Sequence, residues 1–398
     1  MAAPDGVIVA GAGPVGLTAG LLLHRAGIHV TLVEKARNLP DDLRASTFHP
    51  PTLDMLAALG VTDELIALGL VSPTWQIRMH PSGERALFDL SILSDVTDHP
   101  YRLQCTQANL CRILLDRLTR EAADVRLGHE LVAARQNETG VQVTCRAEDG
   151  ELVSLEGAWL IGCDGARSAV RGATRTSFDG SVYHETTILA TTRFPFHEHL
   201  PDLSNVNYVW YDGGTFSLLR LPDTWRCSLY PGPGETLEEA LTLGSITAKL
   251  DRIVPGAGAA GVGELRPYRI HRRIAGDYRT GRMILAGDAA HLNSPSGGMG
   301  MNGGIHDAFE LVESLRACIA GGDVRMMDRY GVRRRPIASA EIIEQAHQNR
   351  SRMQERDPDR RGKMLSELQA IASDPVRAHA HLMRSSMIAG LRQAAQLG

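Results

Sequence analysis

The feature that most constrains this chain lies within its first 34 residues. The apolar run Val7–Ala10 ends on Gly11-Ala-Gly13-Pro-Val15-Gly16, and a segment of helical periodicity with Leu17, Leu21 and Leu22 on one face continues to Arg25. Gly27 stops it, and the residues from His29 to Glu34 read as a second strand. Strand, glycine turn, helix and strand in so short a span specify a βαβ unit. Gly11 permits the tight turn, Gly13 lets backbone approach a pyrophosphate, and Gly16 allows helix and strand to pack closely. The helix start, with Val15 in its first turn, offers free N–H groups and the positive end of its dipole to phosphate. Glu34, with Lys35 beside it, ends the second strand, where a carboxylate accepts hydrogen bonds from a ribose diol. A bound dinucleotide is therefore expected; this motif alone does not separate a flavin from a nicotinamide nucleotide.

At 398 residues the chain exceeds one ordinary core, so two or three lobes are expected. Its 43% hydrophobic and 22% charged residues are globular in proportion, and a net charge of −4 without a dense basic stripe argues against nucleic acid as a partner. The run Arg333-Arg334-Arg335 reads as a solvated helix end. No apolar stretch is long enough for a bilayer-spanning helix. Six scattered cysteines without a Cys-x-x-Cys pair, and histidines without ligand spacing, point to reduced thiols in the cytoplasm and to no metal. The opening residues lack a secretory leader pattern, which favours the same compartment.

Two further motifs stand at strand ends. The first is Gly162-Cys-Asp164-Gly-Ala-Arg167. The second is Gly287-Asp288, followed by the glycine-rich loop Pro295-Ser-Gly-Gly298-Met-Gly300-Met301-Asn302 and a helix expected from Gly303 to Ala320, with Ile305, Phe309, Val312, Leu315 and Ile319 inward. Asp288 at a strand end suits a ribityl hydroxyl. A loop that brings bare N–H groups and a helix start to one point suits the negative edge of a reduced flavin. Helices are also expected over 51–59, 107–122 and 236–253. Residues 73–99 look irregular or β-rich. The alternating segments 208–211, 215–221 and 224–230 read as an antiparallel sheet.

The three motifs in this order resemble the para-hydroxybenzoate hydroxylase family, the single-component FAD-dependent aromatic monooxygenases; the likeness spans about residues 5–320. It implies a Rossmann-like FAD-binding α/β domain in three parts (1–72, 100–174 and 271–322). A β-sheet substrate domain, expected to be antiparallel, is inserted as 73–99 and 175–270, and a helical region follows over 323–398. By the same likeness Arg44 matches the family's pyrophosphate arginine and Gln107 its flavin-contacting glutamine, with Gln104 as a competitor. Asp164 and Arg167 inherit a link to FAD and NAD(P)H. Pro295 matches a proline whose carbonyl faces substrate and flavin, and Met301 and Asn302 match residues whose backbone reaches the flavin ring. Two positions depart from the family pattern: Cys111 stands where relatives carry glutamate, and the loop Asn293–Asn302 lacks a second proline.

The resemblance implies that NAD(P)H reduces FAD, that O2 then gives a flavin C4a-hydroperoxide, and that an electron-rich ring of phenol, hydroxybenzoate or hydroxypyridine type takes one oxygen. With only one GxGxxG set in a βαβ unit, NAD(P)H is expected to visit a surface groove. A homodimer is the oligomer considered. The competing readings are a related flavoenzyme that epoxidises, forms a quinone or reduces a larger substrate, and a non-catalytic flavin-bound sensor or interaction module. The tryptophans at 75, 159, 210 and 225 cannot form the halogenase motif Trp-x-Trp-x-Ile-Pro. Tyr208, Tyr211, Phe216, Arg220, Trp225 and Arg226 fall on the sheet expected to roof the site, and alternation separates Tyr208 from Tyr211 in facing. From these, Tyr211 and Arg220 are candidates for the substrate, and an arginine such as Arg220 or Arg226 would favour a carboxylate. His49 is a candidate base for a phenol or pyridinol, because imidazole titrates near neutrality. His291 is read as structural.

Overall fold

A computed structural model describes residues 6–41 and 45–397. The βαβ opening forms as Val7–Ala10, the helix Pro14–Arg25 and Val30–Glu34. These strands join a six-stranded sheet in the order Arg279–Thr280, Met283–Leu285, Trp159–Gly162, Val7–Ala10, Val30–Glu34 and Asp124–Leu127. Five of them run parallel, with Val9 opposite Ile161 on one side and Leu32 on the other. Both faces are covered, which is why the strands read as unbroken apolar runs. The helix Pro14–Arg25 packs on the long helix Met299–Gly321, and Gln107–Arg120 lies beside it. Their buried faces share one core with the sheet.

Eight strands make the second sheet, in the order His291–Leu292, Leu265–Ala275, Phe178–Thr192, Trp225–Leu229, Gly214–Arg220, Val206–Tyr211, Thr74–Met79 and Arg85–Asp89. It departs from the expected antiparallel arrangement at one place. Val206–Tyr211 runs parallel to Thr74–Met79, with Tyr208 opposite Ile77. The segment 73–99, read as irregular or β-rich, supplies two of these strands and a short helical turn. One face of the sheet buries its own apolar cluster with the helices Leu237–Ala240 and Leu243–Ile253. These replace the single helix expected over 236–253, because Thr242 caps a fresh start with its hydroxyl on the Ser245 N–H. A three-stranded sheet of Thr47–Phe48, Arg102–Gln104 and Leu70–Ser72 bridges the two large sheets.

The long helix begins four residues before the expected Gly303. Gly298, at φ +69°, caps it in the left-handed region. Gly303 and Gly304 sit inside it for close packing: a Cβ at Gly303 would stand 2.5 Å from Ile342 Cδ1, and one at Gly304 2.6 Å from Val15 Cγ2. Ile319, expected inward, is exposed, and Cys318 takes the buried place.

The arginine run is also not a solvated end. Arg334 is 1% exposed and donates from Nε to Asp307 Oδ1 at 2.7 Å, while Arg335 donates to the Ala275 carbonyl. Burying a guanidinium is costly unless its charge and N–H groups are met, and Asp307 meets those of Arg334. After this run come a π-helical turn, Ala338–Glu344, and the helices Gln345–Gln354, Pro358–Ala372, Pro375–Ser385 and Ile388–Ala395, the four helices packing an apolar cluster against the edge of the second sheet. All six cysteines are buried and none is in a disulfide. Among the described residues no helix is long and apolar enough to cross a membrane.

Candidate flavin and substrate site

The first glycine turn has the three-part logic its spacing implies. Gly11 sits at φ +102°, and a Cβ there would lie 2.4 Å from the Cys163 carbonyl oxygen. A Cβ on Gly16 would lie 1.9 Å from the Gly11 carbonyl oxygen, so helix and strand touch through backbone. Around Gly13 a Cβ would meet nothing within 4 Å. That open side, at a helix start, is where a pyrophosphate fits. Glu34 stands at the adjoining strand end, accepting from Ala12 N at 2.8 Å and Ala36 N at 2.9 Å. Val15 packs beneath Gly287, and Lys35 is exposed. Arg44 lies outside the described residues.

Asp164 is held on its own loop. Its carboxylate accepts from Ser168 Oγ at 2.5 Å and from the N–H groups of Ala169 and Val170, so it caps the short helix Ala169–Thr174. Arg167 is exposed on the same loop.

The Gly287-Asp288 turn is fastened from below by a buried ionic knot. Asp307 accepts from Gly287 N at 3.2 Å, from His291 Nε2 at 2.8 Å and from Arg334. Burial opposes ionisation of Asp307, yet Arg334 and His291 hold its pKa at about 2. Burial pushes the neighbouring phenols of Tyr278 and Tyr330 well up. His291 is thus structural, and Asp288 stands on the exposed side of the turn.

The glycine-rich loop is tied to the entry of the helix Pro50–Ala57 by one side chain. Asn302 Oδ1 accepts from His49 N at 3.0 Å, and its Nδ2 donates to Thr47 O at 2.8 Å and Gly298 O at 2.6 Å. Gly297 and Gly298 have φ of +97° and +69°, which turns the loop tightly onto the helix start. Pro295 is exposed and its carbonyl accepts from Gly298 N at 3.0 Å, so that oxygen points back into the loop. Gly300 and Met301 follow in the first helical turn.

His49 is fully buried, with Nε2 2.8 Å from the Gly297 carbonyl. Only an N–H can meet a carbonyl, so Nε2 carries the proton and Nδ1 is left as an acceptor without a partner. Burial, and then Arg102, hold its pKa well below the usual imidazole value. Gln104 is likewise fully buried; its Oε1 accepts from Thr47 Oγ1 and its Nε2 has no partner. Gln107 opens its helix half-buried.

Between this loop, the second sheet and the C-terminal helices lies a cavity of about 280 Å³. Gly297 and Met299 border it on the loop side, Trp75 and Tyr208 on the sheet side, and Asn349, Arg352 and His381 on the helical side. Arg102 reaches it from the bridging sheet. It is 3% exposed, stacks 5.0 Å from the Trp75 ring centre and hydrogen-bonds Tyr208. His381 stacks on Phe88 at 4.6 Å and Trp75 at 6.0 Å. Burial, then Arg352, Arg384 and Arg102, lower its pKa to about 4, so it is neutral at pH 7.

Two sequence candidates fall elsewhere. Tyr211 packs on the opposite side of the sheet with Phe216, ring centres 5.5 Å apart, and Arg220 lies over Trp225 and bonds His197. Tyr208, on the other face of the same strand, borders the cavity instead. Arg226 is buried and donates to Ser46 Oγ at 3.0 Å rather than lining the cavity. His49 stands behind Gly297 and does not line the cavity, so it is not placed to take a proton from a ring there. Sequence reading missed Arg102, His381 and the whole helical wall. An arginine in a three-residue strand carries no signal of its own beyond standing two residues before Gln104.

Residues 6–345 match the family described as FAD binding domain. The chain is 32% identical over 364 residues to para-nitrophenol 4-monooxygenase of Pseudomonas sp. (strain WBC-3), covering 90% of this chain and 89% of that one. It is 33% identical to 6-hydroxy-3-succinoylpyridine 3-monooxygenase of Pseudomonas putida (strain DSM 28022 / S16), covering 79% and 80%. Among solved structures it resembles p-nitrophenol 4-monooxygenase from Pseudomonas putida DLL-E4, with a TM-score of 0.90, 30% identity and coverage of 98% and 99%. The open side of Gly13 and the unpartnered polar atoms of His49 and Gln104 suit the FAD named in that family's description. The chain belongs to the FAD-binding family and is an FAD-dependent monooxygenase of the para-hydroxybenzoate hydroxylase type.

Proposed function

We propose that this enzyme hydroxylates a small, electron-rich ring of phenol, hydroxybenzoate or hydroxypyridine type in the cavity bordered by Gly297, Trp75 and Arg102. The observation that carries the reading is the cavity itself. It lies against the glycine loop that would meet a flavin ring, and about 280 Å³ is at the small end for ligand pockets. A larger, fused-ring substrate, and with it the epoxidase or quinone-forming reading, is less well served by that volume.

Bound FAD would supply the redox chemistry between NAD(P)H, O2 and the ring. Gly11, Gly13, Val15, Gly16 and Glu34 would hold its nucleotide half, with Lys35, Arg44, Asp164, Arg167 and Asp288 along the same course. Gln107, Gly298, Gly300, Met301 and Asn302 would hold the ring end. The protein's own work is then positioning and exclusion of water. Asn302 and His49 fix the loop, Met299 and Trp75 wall the substrate, and the C-terminal helices close the far side. NAD(P)H would approach along the outer surface, since among the described residues only the Gly11–Gly16 turn sits in a βαβ unit. Six buried cysteines outside any disulfide favour a reducing compartment such as the cytoplasm.

The test is NAD(P)H oxidation by the FAD-loaded protein with a panel of phenolic acids, nitrophenols and hydroxypyridines, with H2O2 measured alongside. Oxidation stimulated by one ring class with little H2O2 is expected. Ring-independent oxidation that returns all its electrons as H2O2 would overturn the reading.

A further inference from the structure

Arg102 presents an imbalance that the fold does not resolve. Its guanidinium is almost fully buried, yet among the described residues it meets no carboxylate. Its contacts are the Tyr208 hydroxyl and the face of Trp75. Nε and Nη1 have no partner at all. Two other deeply buried arginines are provided for differently: Arg334 has Asp307 directly against it, and Arg361 donates to the carbonyls of Glu355, Tyr211 and Gly214. A buried cation without a counter-charge is costly, and the cost is relieved when an anion arrives.

The rest of the cavity points the same way. Arg352 and Arg384 also line it, against one carboxylate, that of Glu341. Two neutral groups on its wall, His381 Nε2 and Trp75 Nε1, are buried without partners as well. The wall is therefore cationic and polar where the bridging strand and the C-terminal helices meet it, next to flat rings that would stack on an aromatic substrate.

We propose that Arg102 is the specificity-determining residue of this enzyme, pairing with an anionic oxygen carried by the ring, either a carboxylate or an ionised phenol. The pairing rests on the reading of this cavity as the substrate site and adds what it selects. By anchoring one end of the ring, Arg102 also sets which carbon is turned towards the Gly297–Met299 loop. The sequence candidates Arg220 and Arg226 do not line the cavity and have no such role.

The test measures binding, by the perturbation of flavin absorbance in the FAD-loaded protein, for two matched pairs: 4-hydroxybenzoate against 4-hydroxybenzamide, and 4-nitrophenol against 4-nitroanisole. The anion of at least one pair is expected to bind about 10- to 150-fold more tightly, the range for a charge-assisted hydrogen bond. The first pair reports a carboxylate and the second a phenolate. Arg102→Gln should erase the preference, and Arg220→Gln should keep it. Equal binding of anion and neutral analogue in both pairs by the wild type overturns the proposal without need of a variant. So does a preference that survives in folded, FAD-loaded Arg102→Gln. Anion preference without any oxygenated product would sink the hydroxylase reading and leave the role of Arg102 standing.

Discussion

Asn302→Ala removes the side chain that fastens the glycine-rich loop to the approach of the helix Pro50–Ala57. Three hydrogen bonds go with it, from His49 N and to the carbonyls of Thr47 and Gly298. Asn302 and His49 are both fully buried, so bulk water does not replace them freely. At about 1 kcal/mol net for each bond the loss starts near 3 kcal/mol, and an orphaned buried His49 N–H adds about 1–3 kcal/mol. The fold should therefore lose about 4–6 kcal/mol, concentrated where the flavin ring would sit. Chemical unfolding of the apoprotein measures the first effect, and FAD dissociation followed by flavin fluorescence the second; both should move together. A loss under about 1 kcal/mol, the value of one ordinary hydrogen bond, with FAD affinity unchanged, would refute the claim that Asn302 clamps the loop.

The first glycine turn gives a paired test. Gly13→Ala should leave the apoprotein as stable as before, because its Cβ meets nothing within 4 Å, yet lower FAD content on purification; Gly16→Ala should destabilise the apoprotein itself, its Cβ lying 1.9 Å from the Gly11 oxygen. Equal apoprotein stability in both variants, read by thermal unfolding, would contradict the geometry. Burial lowers the imidazole pKa of His306 from 6.5 to about 3 and of His381 to about 4, so the folded state resists their protonation. Stability from these groups is complete above pH 6.5 and is lost as pH falls through that value towards the folded pKa, with Asp307 adding a further loss between about 4 and 2. A thermal midpoint that stays constant from pH 7 down to 5 would contradict this. Tyr211→Phe and Arg220→Gln should leave kcat/KM within about twofold of wild type, as expected for positions off the cavity; a tenfold loss in folded protein would put them back in the site.

What could be read from the sequence was local. The Gly11–Gly16 turn, its helix and the strand ending in Glu34 occupy consecutive residues, so their spacing carries the structure directly. The pairing of Tyr208 with Ile77 crosses about 130 positions and leaves no trace in either segment, which is why residues 73–99 did not reveal their strands. Alternation separated Tyr208 from Tyr211 correctly but could not say which of them faces the cavity. That choice depends on what packs on each side of the sheet. The arginine run failed for a related reason. Charge runs are usually solvated, and only the arrival of Asp307 from another helix makes Arg334 buriable. Arg102 and His381 were hidden because the cavity is assembled from the bridging strands, the glycine loop and the last helices, whose meeting no motif announces.

The central claim is that this chain transfers one oxygen atom from O2 to a small aromatic ring. Mass spectrometry of the product formed under isotopically heavy dioxygen, with FAD, NAD(P)H and the ring that most stimulates oxidation, tests it directly. The account predicts a product carrying one heavy oxygen on the ring and none when the label is in the water. A ring recovered unchanged, or one whose new oxygen comes from water, would contradict it.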